Sequence, residues 1–76
     1  MTRRIVINPD VLQGKPILEG TRISVAFILE MLSSGMTVDQ IVEEYAHLTR
    51  DDILAAVVYA KQIVDGEDIM PAVEAA

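Results

Sequence analysis

Apolar positions along the chain recur first at strand spacing and then at helix spacing. Ile5-Val6-Ile7 is a β-branched run closed by Asn8-Pro9-Asp10, which predicts a short strand. Pro16-Ile17-Leu18 predicts a second strand at a sheet edge, where the proline's missing N–H does least harm. From Val25 the spacing turns helical. Val25, Ile28, Leu29 and Leu32 share a face that Phe27 and Met31 widen, predicting a helix from Val25 to about Ser34. Ser24 suits its N-cap, and Gly35 suits the left-handed residue that ends it. Thr37-Val38-Asp39-Gln40 fits a capping box opening a second helix. Ile41, Val42 and Tyr45 form the apolar side of that helix, and Glu43 and Glu44 its wet side. After the connection Ala46-His47-Leu48, Thr49 caps a third helix, with Asp51 and Asp52 at the favourable end of its dipole. That helix runs to about Val64, and Gly66 stops it. Ile53, Val57, Ala60 and Val64 lie on one face, with Leu54 and Val58 on a second edge. This is more apolar surface than one shallow core requires.

The stretch from Gly14 to Val25 joins the extended part to the helical part. Gly14-Lys15-Pro16 reads as a sharp turn, with Lys15 held extended by the proline after it. Gly20 makes a second corner, and Thr21-Arg22-Ile23 leads into the first helix. Arg22 sits where a guanidinium fork can tie the corner to a carboxylate or to backbone carbonyls. Gly14, Pro16, Gly20, Thr21 and Arg22 are therefore read as the structural motif. Glycine beside lysine also invites a phosphate-loop reading. That loop needs a glycine five residues before the Gly-Lys pair and a hydroxyl residue after it, and Pro9 and Pro16 hold those places.

Seventy-six residues make one domain near the lower size limit for a self-sufficient core, with a single Phe and no Trp. A core this thin, together with an open edge on the first strand, leads us to expect a homodimer. The absence of cysteine removes disulfides and thiolate metal sites, and suits a cytoplasmic protein. His47, the only histidine, cannot make a metal site alone and reads as a turn residue capping local carbonyls. No serine sits in a nucleophile elbow, and the carboxylates read as solvated helix faces. We therefore expect no enzyme, no cofactor and no metal. No apolar run approaches a membrane span, and Met1-Thr2-Arg3-Arg4 lacks the apolar region of a signal peptide.

The net charge of −6 is unevenly spread: residues 1–24 carry +2 and residues 25–76 carry −8. An acidic chain binds nucleic acid poorly, so any DNA contact falls to Arg3, Arg4, Lys15 and Arg50. Asp51 and Asp52 at the start of the third helix oppose its use for reading bases. Arg3 and Arg4 could act instead as an arm on phosphates or in a minor groove.

Gly14-Lys15-Pro16, Gly20-Thr21-Arg22-Ile23 and Val25, followed by Gly35, Thr37, Ile41, Tyr45, Leu48 and Thr49, resemble the family catalogued as domain of unknown function 433. The resemblance covers about residues 5 to 62. It implies a small α+β fold, mostly α, with a short N-terminal strand pair followed by a three-helix, homeodomain-like helix-turn-helix bundle. It also implies an antitoxin-like component of a type II toxin–antitoxin pair that neutralises a PIN-like nuclease toxin, and leaves open a contact with its own operator DNA. The alternative is a homodimeric interaction or scaffold domain with no nucleic-acid role. Residues 1–66 form the domain in this reading, and residues 67–76 an acidic, flexible tail. Glu67 and Asp68, beside Ile69 and Met70, are the candidate ligand for a cationic nuclease site.

Overall fold

β1 (Ile5–Ile7) runs down the middle of a three-stranded sheet. β2 (Ile17–Leu18) pairs with it antiparallel, Ile5 opposite Leu18 and Val6 opposite Ile17. β3 (Ala72–Val73) pairs with it parallel on the other side, Val6 opposite Ala72 and Ile7 opposite Val73. Three helices follow β2: α1 (Val25–Ser33), α2 (Val38–Glu44) and α3 (Arg50–Val64). The fold is therefore α+β with helices dominant. The computed structural model describes residues 3–67 and 72–73.

The caps fall where the sequence puts them. The Ser24 hydroxyl accepts the Phe27 N–H at 2.9 Å, opening α1. Thr37 and Gln40 complete a reciprocal box at α2. α1 and α3 end alike. The Gly35 N–H donates to the Leu32 carbonyl and the Met36 N–H to the Met31 carbonyl, as the Gly66 N–H does to Ile63 and the Glu67 N–H to Gln62. That double bond needs a left-handed residue, and Gly35 (φ 103°) and Gly66 (φ 77°) supply it without the Cβ clash.

The core lies where α1, α2 and α3 meet the sheet, around the buried Leu18, Val25, Ile28, Met31, Ile41, Leu48, Ile53 and Ala56. Its seams differ from the expected stripes. α1 buries Val25, Ile28 and Met31, while Leu29 and Leu32 are half-buried and Phe27 is exposed. Phe27 nevertheless meets Tyr45 edge-to-face with centroids 5.9 Å apart, which ties α1 to the α2–α3 turn. α3 buries Asp52, Ile53 and Ala56. Val57 and Val64, expected on that inner face, are 37% and 85% exposed. Choosing among overlapping apolar stripes requires knowing where the neighbouring helices sit, which periodicity does not carry.

Two other expectations change. The strand pair is a three-stranded sheet, because Ala72–Val73 return to β1. The β1 edge expected to pair across a two-fold axis is thus occupied on both sides within one chain. The turn before Lys15 is also more contorted than a Gly-Lys-Pro corner. Leu12, Gln13 and Gly14 have φ of 47°, 58° and 79°. Two successive non-glycine residues in the left-handed region cost about 1–2 kcal/mol each. The Gly14 N–H to Val11 and Lys15 N–H to Leu12 hydrogen bonds close the turn.

Candidate interaction site

The corner from Ile17 to Val25 is a tight hairpin, bonded from Leu18 N–H to Ile23 carbonyl and from Val25 N–H to Pro16 carbonyl. Gly20 turns it at φ 77°. Thr21 ties it: its hydroxyl donates to the Leu18 carbonyl at 2.8 Å and accepts the Ile23 N–H at 3.0 Å. Arg22, expected to make that tie, is exposed and makes no hydrogen bond or ion pair among the described residues. A three-atom hydroxyl side chain reaches the adjacent backbone without ordering a long side chain, so the corner does not need the fork.

The basic residues singled out from the sequence divide into used and unused. The Arg3 guanidinium, 32% exposed, donates to Asp52 Oδ2 at 2.6 Å and to the His47 carbonyl at 2.9 Å, and the Arg3 N–H donates to Asp52 Oδ1. Arg4 grips both carboxylate oxygens of Glu19 from the solvent side. Arg50 pairs with Asp39 of α2, and Lys61 pairs with Asp65 one turn on. Arg3 and Arg4 thus serve separate partners, on α3 and on the loop after β2, and do not converge as an arm. Lys15 and Arg22 are the two described cations that no hydrogen bond or ion pair engages.

Asp52 is the residue the sequence reading misplaced most. Expected on a solvated face, it is 1% exposed. Its carboxylate also accepts the Thr49 N–H at 3.0 Å, and the Thr49 hydroxyl accepts the Asp52 N–H, a second reciprocal box. Burial pushes the Asp52 carboxyl up, but the backbone N–H groups of Thr49 and Arg3, the Arg3 charge and the Thr49 hydroxyl together hold it below its ordinary value. The pattern Thr-x-x-Asp was a visible signal for the box; the arginine far back in the chain was not. The hydrogen bonds from the Arg4 guanidinium likewise hold the Glu19 carboxyl below its ordinary value. His47 contributes only its carbonyl to this corner. Its imidazole is exposed and makes no hydrogen bond among the described residues, so it does not cap the turn.

Two apolar surfaces remain on α3. Leu54 and Val58 point to solvent at 47% and 52% exposure, with Val57 beside them. Nearer its C-terminus, Tyr59, Ala60, Ile63 and Val64 form one wall of a groove of about 500 Å³ whose other wall is Val25, Ala26 and Leu29 of α1. Lys15 and Pro16, just before α1, complete its lining. A second depression of about 380 Å³ at the start of α1 is lined by Leu12, Lys15, Arg22, Phe27 and Glu30. Lys15 and Ala26 belong to both, so the two hollows form one surface.

Of the tail residues proposed to bind a partner, Glu67 is exposed and its N–H is fixed by the α3 end. Asp68, Ile69 and Met70 lie outside the described residues. No group of three or more potential metal ligands occurs among the described residues. No helix among them is long and apolar enough to cross a membrane.

The chain is 30% identical over 57 residues to an uncharacterized protein, y4eO, of Sinorhizobium fredii (strain NBRC 101917 / NGR234). That match covers 75% of this chain but only 26% of the relative, so the chain spans about a quarter of the relative's length. No solved structure matches the chain. The family model described as protein of unknown function, DUF433, matches residues 5–60, which takes in β1, β2, the Gly14–Val25 corner, α1, α2 and most of α3; the chain belongs to the DUF433 family.

Proposed function

We propose that this chain is a protein-binding module, acting as the antitoxin-like component of a toxin–antitoxin pair whose partner is a PIN-like nuclease. The observation that carries the protein-binding part is the outer surface of α3, where Leu54, Val57 and Val58 stand 37–52% exposed on successive turns. Contiguous apolar side chains on a small acidic domain favour contact with another protein. The nuclease part comes from the family resemblance.

Charge favours protein over DNA as the principal partner. Arg3, Arg4 and Arg50 are each neutralised by a carboxylate of the same chain. Nucleic-acid affinity rests on cations free to displace counterions from phosphate, and pairing removes that gain. Operator binding is therefore secondary in this reading. A homodimeric scaffold is the second reading, favoured by the same α3 surface.

The test is co-expression. A nuclease encoded beside this gene should arrest growth when produced alone, and co-production of this chain should restore growth and co-purify with the nuclease. Persistent arrest, or a neighbouring gene that encodes no nuclease, would refute the antitoxin reading.

A further inference from the structure

We propose that the groove between α1 and α3 is a docking site for an amphipathic helix of a partner protein, one with an aliphatic face and carboxylates along its flank. The inference rests on the reading of this chain as a protein-binding module, but not on the partner being a nuclease.

The fold leaves two of its cations unused. In the Gly14–Val25 corner, Gly14 and Gly20 supply left-handed backbone, Thr21 ties the hairpin and Ser24 caps α1. The charges of Lys15 and Arg22 serve none of these ends. Four of the six Lys and Arg side chains are in ion pairs, and these two are the exceptions among the described residues. They nevertheless line the same hollow, and Lys15 also lines the apolar groove. The chain carries twelve acids, and the loops and helices around them had carboxylates to offer, yet only Glu30 shares that hollow.

The groove itself is shaped for a side-chain row. Leu29 of α1 and Tyr59, Ile63 and Val64 of α3 present aliphatic and aromatic surface, and Ala26 and Ala60 keep the floor low. Two helices with small residues between larger ones make the trough into which an amphipathic helix lays its apolar face. Ile63 and Val64 are 55% and 85% exposed. Lys15, shared with the adjoining hollow that also holds Arg22, then fixes orientation: a ligand carboxylate placed there gains charge-assisted bonds, while a lysine placed there meets repulsion. An acidic amphipathic helix satisfies both halves of the surface. A basic helix satisfies only the apolar half, and DNA offers no apolar face for the groove.

The probe is a synthetic helical peptide of about sixteen residues with leucines at helical spacing and glutamates on one flank, compared with the same peptide carrying lysines for the glutamates. Binding is followed by amide chemical shifts of the labelled full chain. We expect the acidic peptide to shift Lys15, Ala26, Leu29 and Ile63 and to bind about tenfold or more tighter than the basic one. In the Lys15→Glu/Arg22→Glu double variant that preference should invert. Both positions are exposed and unpaired, so the variant keeps its fold, which its melting curve verifies. Equal affinity for the two peptides, shifts elsewhere on the surface, or no binding to either would overturn the proposal. So would a dimer in sedimentation analysis that Ile63→Glu dissociates, because a second copy would then fill the groove. A nuclease partner whose affinity ignores Lys15→Glu/Arg22→Glu refutes the groove and spares the antitoxin reading. Acidic-peptide binding without any nuclease partner does the reverse.

Discussion

Asp52→Ala should be among the most damaging single substitutions of a charged residue in this chain. The side chain is 1% exposed and receives three donors: the Arg3 N–H, the Arg3 guanidinium and the Thr49 N–H. Losing its half of the capping box costs about 0.5–2 kcal/mol. Leaving part-buried backbone donors without an acceptor adds about 1–3 kcal/mol. The ion pair itself adds little, because Arg3 is a third exposed and water screens it. The expected total is about 2–4 kcal/mol, against roughly 4–11 kcal/mol for a domain of this size. In a domain this small each kcal/mol moves the melting temperature by about 4–8 °C, so a fall of about 8–32 °C is expected. Urea titration followed by circular dichroism measures the free-energy loss, and a thermal scan the fall in melting temperature. Asp52→Asn should lose less, since an amide oxygen can still accept from Thr49. The pH dependence has a definite sign. The folded-state pKa of Asp52 lies below its unfolded value, so its contribution is complete above about pH 4 and is lost as pH falls through the folded value. The gap between wild type and Asp52→Asn should therefore narrow on acidification below about pH 4. An Asp52→Ala variant within about 0.5 kcal/mol of wild type, as for an ordinary surface site, would refute the clasp between the N-terminal arm and α3.

Ile28→Ala and Ile53→Ala, each removing a fully buried side chain, should each cost about 2–5 kcal/mol, whereas Val58→Ser should cost little; chemical denaturation compares them. Gly20→Ala should destabilise by about 1 kcal/mol through backbone strain alone, because its φ is 77° and no atom lies near an added Cβ, a difference visible in the melting temperature. Deleting residues 67–76 should lower the melting temperature and speed amide exchange in β1, since Ala72 and Val73 leave its second edge; an unchanged melting curve would contradict that pairing.

Elements were legible here where their signals are local. Ser24, Thr37 and Thr49 mark three helix starts, and Gly35 and Gly66 mark two ends, because caps depend on a few adjacent residues. Burial within each helix was less legible. α3 offers apolar residues on nearly every side, and only the placement of α1 and β1 selects Ile53 and Ala56 over Val57 and Val64. Beyond the β1–β2 strand pair, long-range pairing was not legible. Nothing near Arg3 in the chain announces Asp52, and two short residues, Ala72 and Val73, carry too weak a strand signal to show that they return to β1. The same limit applied to the candidate site. Lys15 reads as a candidate phosphate contact and Arg22 as a structural tie until the structure shows both unpaired and the other four basic side chains paired. The apolar groove beside them needs two helices that are far apart in sequence.

The most direct test of the protein-binding account is the affinity of this chain for the partner proposed above, a PIN-like nuclease encoded beside its gene, measured by titration calorimetry with wild type, Leu54→Glu and Val58→Glu. Both positions are about half exposed, so the variants should melt close to wild type. The account predicts tight binding by wild type and a loss of about tenfold or more in each variant, since a charge is placed inside an apolar contact. Undiminished binding by both folded variants, or no binding by the wild type, would contradict it.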